Sequence, residues 1–159
     1  MKKRATKILS AFLALLMVVL VLPAGVITVS AETYSGTCGD NVTWNLDTST
    51  GVLTISGMGA MANYGYGKAP WYSYSSSVKT VTIEEGVTSI GSCAFFACSS
   101  LTSAIFTNTE GWTAGNYSIS SKNIADPATA ATYLRSTYWA FAWTRSDSNS
   151  YHASHALYD

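Results

Sequence analysis

The chain has 159 residues, 48% apolar and only 11% charged, with nine Lys and Arg against nine Asp and Glu. Four of the nine cations (Lys2, Lys3, Arg4, Lys7) crowd the first seven residues, and from Glu32 onward five cations face nine anions, a net charge of −4. Scattered cations on a weakly acidic body exclude an electrostatic footprint for nucleic acid and a polybasic patch for anionic lipid.

The basic start is followed by an unbroken apolar run, Ala11 to Leu22, and then by the small-residue site Val29-Ser30-Ala31. This is the pattern of a secretory signal peptide, and it predicts a leader over 1–31 cut after Ala31. An uncleaved anchor over Ile8–Val29 is the alternative, although Pro23 interrupts that stretch. Beyond the leader no further apolar run is long enough to cross a membrane. Ser and Thr supply 37 of the 128 residues from Glu32 on, so hydroxyls take over much of the solvation that charges normally provide. Thr is also a good strand former.

Val42, Trp44 and Leu46 alternate with Thr43 and Asn45, and Leu53 and Ile55 alternate again beyond Asp47-Thr48-Ser49-Thr50-Gly51. This predicts a β-hairpin with a five-residue loop. Gly57–Gly67 holds four glycines without periodicity and reads as loop. Pro70 then starts a short helical turn with Trp71 and Tyr74 at i, i+3 spacing. Val78, Val81 and Ile83 mark a strand that stops at Glu84-Glu85-Gly86, and Val87 and Ile90 mark a second extended piece. Ala94, Phe95, Cys98 and Leu101 are spaced for a turn of helix leading into a strand over 101–106. Asp126-Pro127 is a helix start with an N-cap and Pro at the first position, and Ala130, Tyr133, Leu134 and Tyr138 form its apolar stripe. Trp139, Phe141 and Trp143 alternate with small residues as in a strand. Residues 146–159 show no pattern and read as a flexible tail.

Shifting the chain by 23 places Val78 on Leu101, Val81 on Ala104 and Ile83 on Phe106, a spacing inside the leucine-rich repeat window. The local sequence V-T-I-E-E-G-V-T-S-I-G-S-C-A-F-F-A-C-S-S-L (81–101) closely resembles the repeat of BspA-like leucine-rich repeat proteins, which are bacterial surface proteins. The matching positions are Ile83, Gly86, Val87, Ile90, Gly91, Ala94, Phe95, Cys98 and Leu101, and the structural positions of the repeat are Val81, Ile83, Val87, Ile90, Ala94, Phe95, Cys98 and Leu101. Residues 35–72 resemble the segment that precedes such repeats, and 106–134 resembles the segment that closes them.

This resemblance implies a mainly β (α+β) fold: a short leucine-rich-repeat solenoid over 32–145. It implies an N-terminal hairpin cap (35–77), one repeat (78–106) and a C-terminal helix–strand cap (107–145). A single repeat cannot bury its own apolar face, so both caps must cover it. All five tryptophans lie outside the repeat, where large apolar area is most needed.

No catalytic constellation emerges. His152 and His155 sit in the unpatterned tail, no G-x-S-x-G occurs, and Glu84-Glu85 would point to opposite faces of an extended strand. No cofactor or metal site is expected: His152 and His155 at i, i+3 lack a convincing third ligand, and Cys93 to Cys98 fits no zinc spacing. Three cysteines are an odd number, so at least one thiol stays free or pairs with another chain. A disulfide from Cys38 stays open, Cys98 reads as a buried apolar residue, and Cys93 reads as nearer the surface. Asn41 and Asn116 sit in glycosylation-acceptor triplets that carry little meaning in a bacterial chain.

The candidate ligand-binding residues are Tyr64, Tyr66, Tyr72 and Tyr74, which with Trp71 crowd eleven residues around Gly65 and Gly67. They suit a stacking platform for sugar rings or a protein hot spot, while Trp71 reads as a plug for the end of the repeat. The expectation is a secreted or cell-surface, non-enzymatic binding or adhesion protein whose partner is an extracellular protein or a glycan. It needs no nucleic acid and no membrane apart from the cleaved leader. The alternatives are a small carbohydrate-binding module built on the 64–74 loop, or a shortened structural remnant without a ligand.

Overall fold

The computed structural model describes residues 32–146. The expected leader (1–31), the expected tail from residue 147 and both histidines lie outside the described residues. Along the chain run β1 (Thr33–Thr37), β2 (Val42–Asp47), β3 (Val52–Gly57), β4 (Gly59–Ala60), β5 (Thr80–Ile83), β6 (Val87–Ile90), β7 (Ser103–Phe106), β8 (Trp112–Ala114), β9 (Tyr117–Ser118) and β10 (Trp143–Arg145). Short helices occupy Ser121–Ala125 and Pro127–Thr132. The fold is mainly β with some helix, as the alternation predicts, and the strands form two mixed five-stranded sheets.

The first sheet has the order β1-β2-β3-β5-β7. The predicted hairpin is its N-terminal part. Val42, Trp44, Leu46, Leu53 and Ile55 are buried, while Thr43 and Asn45 face water. Its loop closes on Asp47, whose carboxylate accepts from Ser49 N at 2.9 Å and from Ser49 Oγ at 2.6 Å. Those bonds favour the charged form and hold the Asp47 carboxyl below its ordinary range, Ser49 being the main cause. From β3 onward the pairing is parallel. Leu53 meets Val81, and Val81 meets Ala104, so the second step is the 23-residue shift visible in the sequence.

The second sheet has the order β4-β6-β10-β8-β9, with β4 and β6 parallel and β10 antiparallel to both of its neighbours. The chain therefore passes from a strand of the first sheet to one of the second, returns, and repeats. All eight repeat positions (Val81, Ile83, Val87, Ile90, Ala94, Phe95, Cys98, Leu101) point into one core and are at most 2% exposed.

Several expectations need correction. Ala94–Leu101 is not a helical turn. It is a run of i→i+3 turns, with Ala94 N donating to Gly91 O, Cys98 N to Phe95 O and Leu101 N to Cys98 O. Cys93 and Ala97 adopt positive φ (55° and 64°), which interrupts any helix there. The strand after it begins at Ser103, not Leu101. The predicted strand over 139–143 shrinks to β10. Tyr133–Thr137 is a π-type turn in which Tyr138 N reaches back to Tyr133 O, and this carries Trp139 and Phe141 into a loop. Trp139 is accordingly only half-buried, whereas Trp44, Trp71, Trp112 and Trp143 are core. Strands β1, β8 and β9 and the helix Ser121–Ala125 had no sequence signal strong enough to predict them. The Asp126-Pro127 start stands: Asp126 Oδ1 accepts from Thr129 N at 2.7 Å, with Pro127 at the first helical position. Ser146, placed in the tail by sequence, is tied to Gly111 O through both its N and its Oγ.

All three cysteines are free and buried, Cys93 included, so it is not a surface thiol. Burial pushes the Cys38 thiol up to about 11 and the Cys98 thiol up to about 12. Both fold as neutral thiols, and the folded state holds their protons more tightly than the unfolded chain does. The associated stability is fully present below the ordinary thiol pKa of about 8.5 and is lost as pH rises through the folded values. The melting temperature is therefore expected to stay level at neutral pH and to fall from about pH 9 upward. A thiol reagent at neutral pH should label none of the three before denaturation and all three after it. Fast labelling of the folded protein would contradict the buried placement.

Candidate functional site

The four candidate tyrosines do not share one surface. Tyr64 turns inward: its ring meets Trp71 edge-on at 6.0 Å and its hydroxyl donates to Cys38 O at 3.1 Å. Burial pushes that hydroxyl's pKa up. Tyr64 thus ties the loop to the hairpin and is partly buried against the core. Tyr74 stacks on Tyr34 with centroids 4.0 Å apart, and Tyr34 in turn donates to Glu32 at 2.6 Å. That pair packs against the core.

Tyr66 and Tyr72 stay outside, 66% and 41% exposed. They join two aromatics that sequence reading passed over. Phe96 lies 5.4 Å from Tyr66 and 6.5 Å from Tyr72, nearly parallel to Tyr72 at 12°. Trp139 lies 5.4 Å from both Tyr66 and Phe96. The quartet draws on the loop before the 3₁₀ turn (Tyr66), that turn itself at Tyr72–Ser77, the turn run after β6 (Phe96), and the loop before β10 (Trp139). Phe95 packs inward, so its neighbour Phe96 in the same tight turn is delivered to the surface. That adjacency is the signal that could have found Phe96. Trp139 had none, because its placement depends on the π-type turn.

The backbone holds the quartet in place. Lys68 N donates to Gly65 O and closes the loop that carries Tyr66. Gly67 has φ +68°, and a Cβ there would sit 3.1 Å from Tyr72 Cζ, so the ring rests on the glycine. Cys93 N donates to Trp139 O at 2.9 Å and clamps the C-terminal loop to the turn run. Among the described residues the hydroxyls of Tyr66 and Tyr72 have no hydrogen-bond partner, so the exposed aromatic surface carries two polar groups.

Tyr66 is largely exposed and its ring contacts are with Phe96 and Trp139, so Tyr66→Ala should leave the fold intact. Each aromatic pair contributes about 1 kcal/mol beyond its buried area, and a loss of about 1–2 kcal/mol in chemical denaturation is expected. A collapse of stability would mean that Tyr66 is core.

Other places offer less chemistry. Glu84 and Glu85 are exposed on a turn. A depression of 240 Å³ is lined by Ala97, Cys98, Ser99, Arg135 and Ser136, where the Cys98 thiol is held protonated by burial. Among the described residues no group of His, Cys, Asp and Glu is arranged to hold a metal, and no helix is long and apolar enough to cross a membrane.

The geometry therefore defines a mainly β domain whose parallel strands recur along the chain, with an aromatic face assembled from three stretches of sequence. No family model matches the chain, and no curated protein matches it. Among solved structures it is similar to a leucine-rich repeat protein from Eubacterium ventriosum, 32% identical over 47% of this chain, with a TM-score of 0.44. The similar part is 20% of that protein's chain.

Proposed function

We propose that this chain is a secreted or cell-surface binding protein of the bacterial leucine-rich repeat type, without enzymatic activity. It recognises an extracellular protein through Tyr66, Tyr72, Phe96 and Trp139. In this reading β5 to β7 with the turns between them form the repeat of a short solenoid. The hairpin β2–β3 caps one end, and the helix Pro127–Thr132 with β10 caps the other. The leader is removed on export.

The observation that carries the reading is the convergence of four partly exposed aromatics from both caps and the repeat. Tyr and Trp are enriched among the residues that carry most of the energy of protein interfaces. The test is binding of the purified protein to immobilised extracellular matrix proteins and to whole cells, with Tyr66→Ala and Trp139→Ala alongside. Micromolar binding lost in both variants, while both still melt cooperatively well above the assay temperature, supports it. No binding, or binding untouched by either variant, overturns it.

One observation favours a glycan instead. The patch is aromatic with free tyrosine hydroxyls, so pyranose C–H faces could stack there while sugar hydroxyls bond to the rim. Retention on a glycan array, lost in the same variants, would move the assignment to a carbohydrate-binding module.

A further inference from the structure

We propose that the edge of β1 left unpaired among the described residues pairs with β1 of a second copy of this chain, antiparallel and centred on Ser35. This inference is independent of the aromatic quartet. Strand β1 is Thr-Tyr-Ser-Gly-Thr, exposed at every residue but Tyr34, and it forms one edge of the first sheet. It carries none of the devices that blunt an edge: no charge, no proline and no bulge.

The direction of its backbone groups follows from its two ends. Glu32 O accepts from Thr48 N, and Cys38 N donates to Val42 O, so the even-numbered positions turn toward β2. Antiparallel pairs alternate, and Thr33, Ser35 and Thr37 therefore turn their N–H and C=O groups outward. Pairing about Ser35 sets Ser35 against its own image and Thr33 against Thr37 of the second copy. Each of these outward residues then exchanges both backbone bonds with its counterpart. The side chains on that face form a ladder of Ser and Thr hydroxyls, a favourable cross-strand combination. The strand is thus self-complementary under the two-fold operation that most dimers use.

The opposite face adds a second observation. Tyr34 falls opposite Gly36 of the second copy, in the closer, non-hydrogen-bonded type of pair. An aromatic ring across from an edge glycine covers the gap that the missing side chain leaves. Under Gly36 lies Trp44, its register mate in β2. Trp44 is 7% exposed, and its Nε1 has no hydrogen-bond partner among the described residues. That N–H sits 3.0 Å from where a Gly36 Cβ would be. A buried donor without an acceptor is costly, and the ring of Tyr34 in the second copy brings a π face to it.

The test is sedimentation of the full chain across the micromolar range, with three comparisons. Ser35→Pro removes an outward N–H and no bond to β2. Ser35→Lys and Ser35→Glu each place like charges face to face across the two-fold axis. The wild type is expected to show a concentration-dependent dimer, and each variant a dissociation constant raised at least about tenfold. An equimolar mixture of the Lys and Glu variants is expected to regain the dimer as a mixed species. Circular dichroism checks that all three fold. A wild type that stays monomeric overturns the proposal. So do a dimer that survives every folded variant and a mixture that does not re-associate.

Discussion

Trp71→Ala is expected to remove much of the stability of this domain. Trp71 is fully buried and meets three rings: Trp44 at 5.9 Å, Tyr64 at 6.0 Å and Phe95 at 5.8 Å. Its indole Nε1 donates to Ala94 O at 2.9 Å, a buried bond from the 3₁₀ segment to the turn run after β6. Truncation leaves a cavity where the hairpin side meets the repeat, and it strips a carbonyl of its donor. Buried Trp→Ala changes cost about 3–5 kcal/mol, against a total of about 5–15 kcal/mol for a domain. At about 4 °C per kcal/mol the melting temperature should drop by roughly 15 °C. Trp71→Phe keeps most of the ring but loses the bond, and it should cost nearer 1–2 kcal/mol. A melt of Trp71→Ala within a few degrees of the parent would show that the two parts are not coupled through this residue.

Gly91→Ala should be the most damaging of the small substitutions. A Cβ on Gly91 would lie 1.8 Å from Ala62 O and 2.7 Å from Ala62 C. The obstacle is backbone, which has no rotamer with which to yield. Gly86 repeats the situation one turn earlier, with its Cβ position 2.2 Å from Gly57 O. Both contacts span the same 29-residue offset, because each glycine rests on the preceding passage of the chain. Strand pairing itself runs at 28 residues from Leu53↔Val81 to Gly59↔Val87 and changes to 29 at Ala60↔Ser89, ahead of the Gly91–Ala62 contact. Opening this contact also disturbs Ser92 N donating to Asn63 Oδ1 and Tyr64 N donating to Ser92 O. Overpacking of this kind costs about 1–3 kcal/mol, and the upper end is expected because two hydrogen bonds ride on it. Gly65→Ala is the control: the nearest atom to its Cβ is Lys68 Cγ at 3.7 Å. That change should stay within about 0.5 kcal/mol. Equal denaturation midpoints for the two variants would refute the close-approach argument.

The contrast between these two predictions shows what could be read in advance. Trp71 was legible as a plug because a lone Trp beside Pro70 in a Gly-rich stretch has few other uses. Gly91 was legible only as a point of resemblance within 81–101, since its reason is a carbonyl 29 residues away. Tyr64 and Tyr66 are two residues apart in one loop, flanked by the same glycine, and no local property separates them. Only the packing of Tyr64 against Trp71 and Cys38 sends one ring inward and leaves the other in water. Phe96 and Trp139 were missed for a related reason. One sits on a turn whose positive φ values, at Cys93 and Ala97, belong to non-glycine residues, and the other follows a π-type turn that alternation mimicked as strand.

By itself the sequence determined what is local or strictly periodic. The β2–β3 hairpin follows from alternation and a turn cluster, the capped helix start from Asp126-Pro127, and the step from β5 to β7 from a 23-residue shift. Each is set by interactions between near neighbours or by a repeated pattern, and each survives in the structure. The tertiary structure alone decided which aromatics are buried, where β1, β8 and β9 pair, and that residues 66, 72, 96 and 139 share one surface. These depend on how successive passages of the chain stack. A ring is buried or exposed by neighbours tens of residues distant, and short strands such as Tyr117–Ser118 exist only because a longer strand lies beside them to supply their hydrogen bonds.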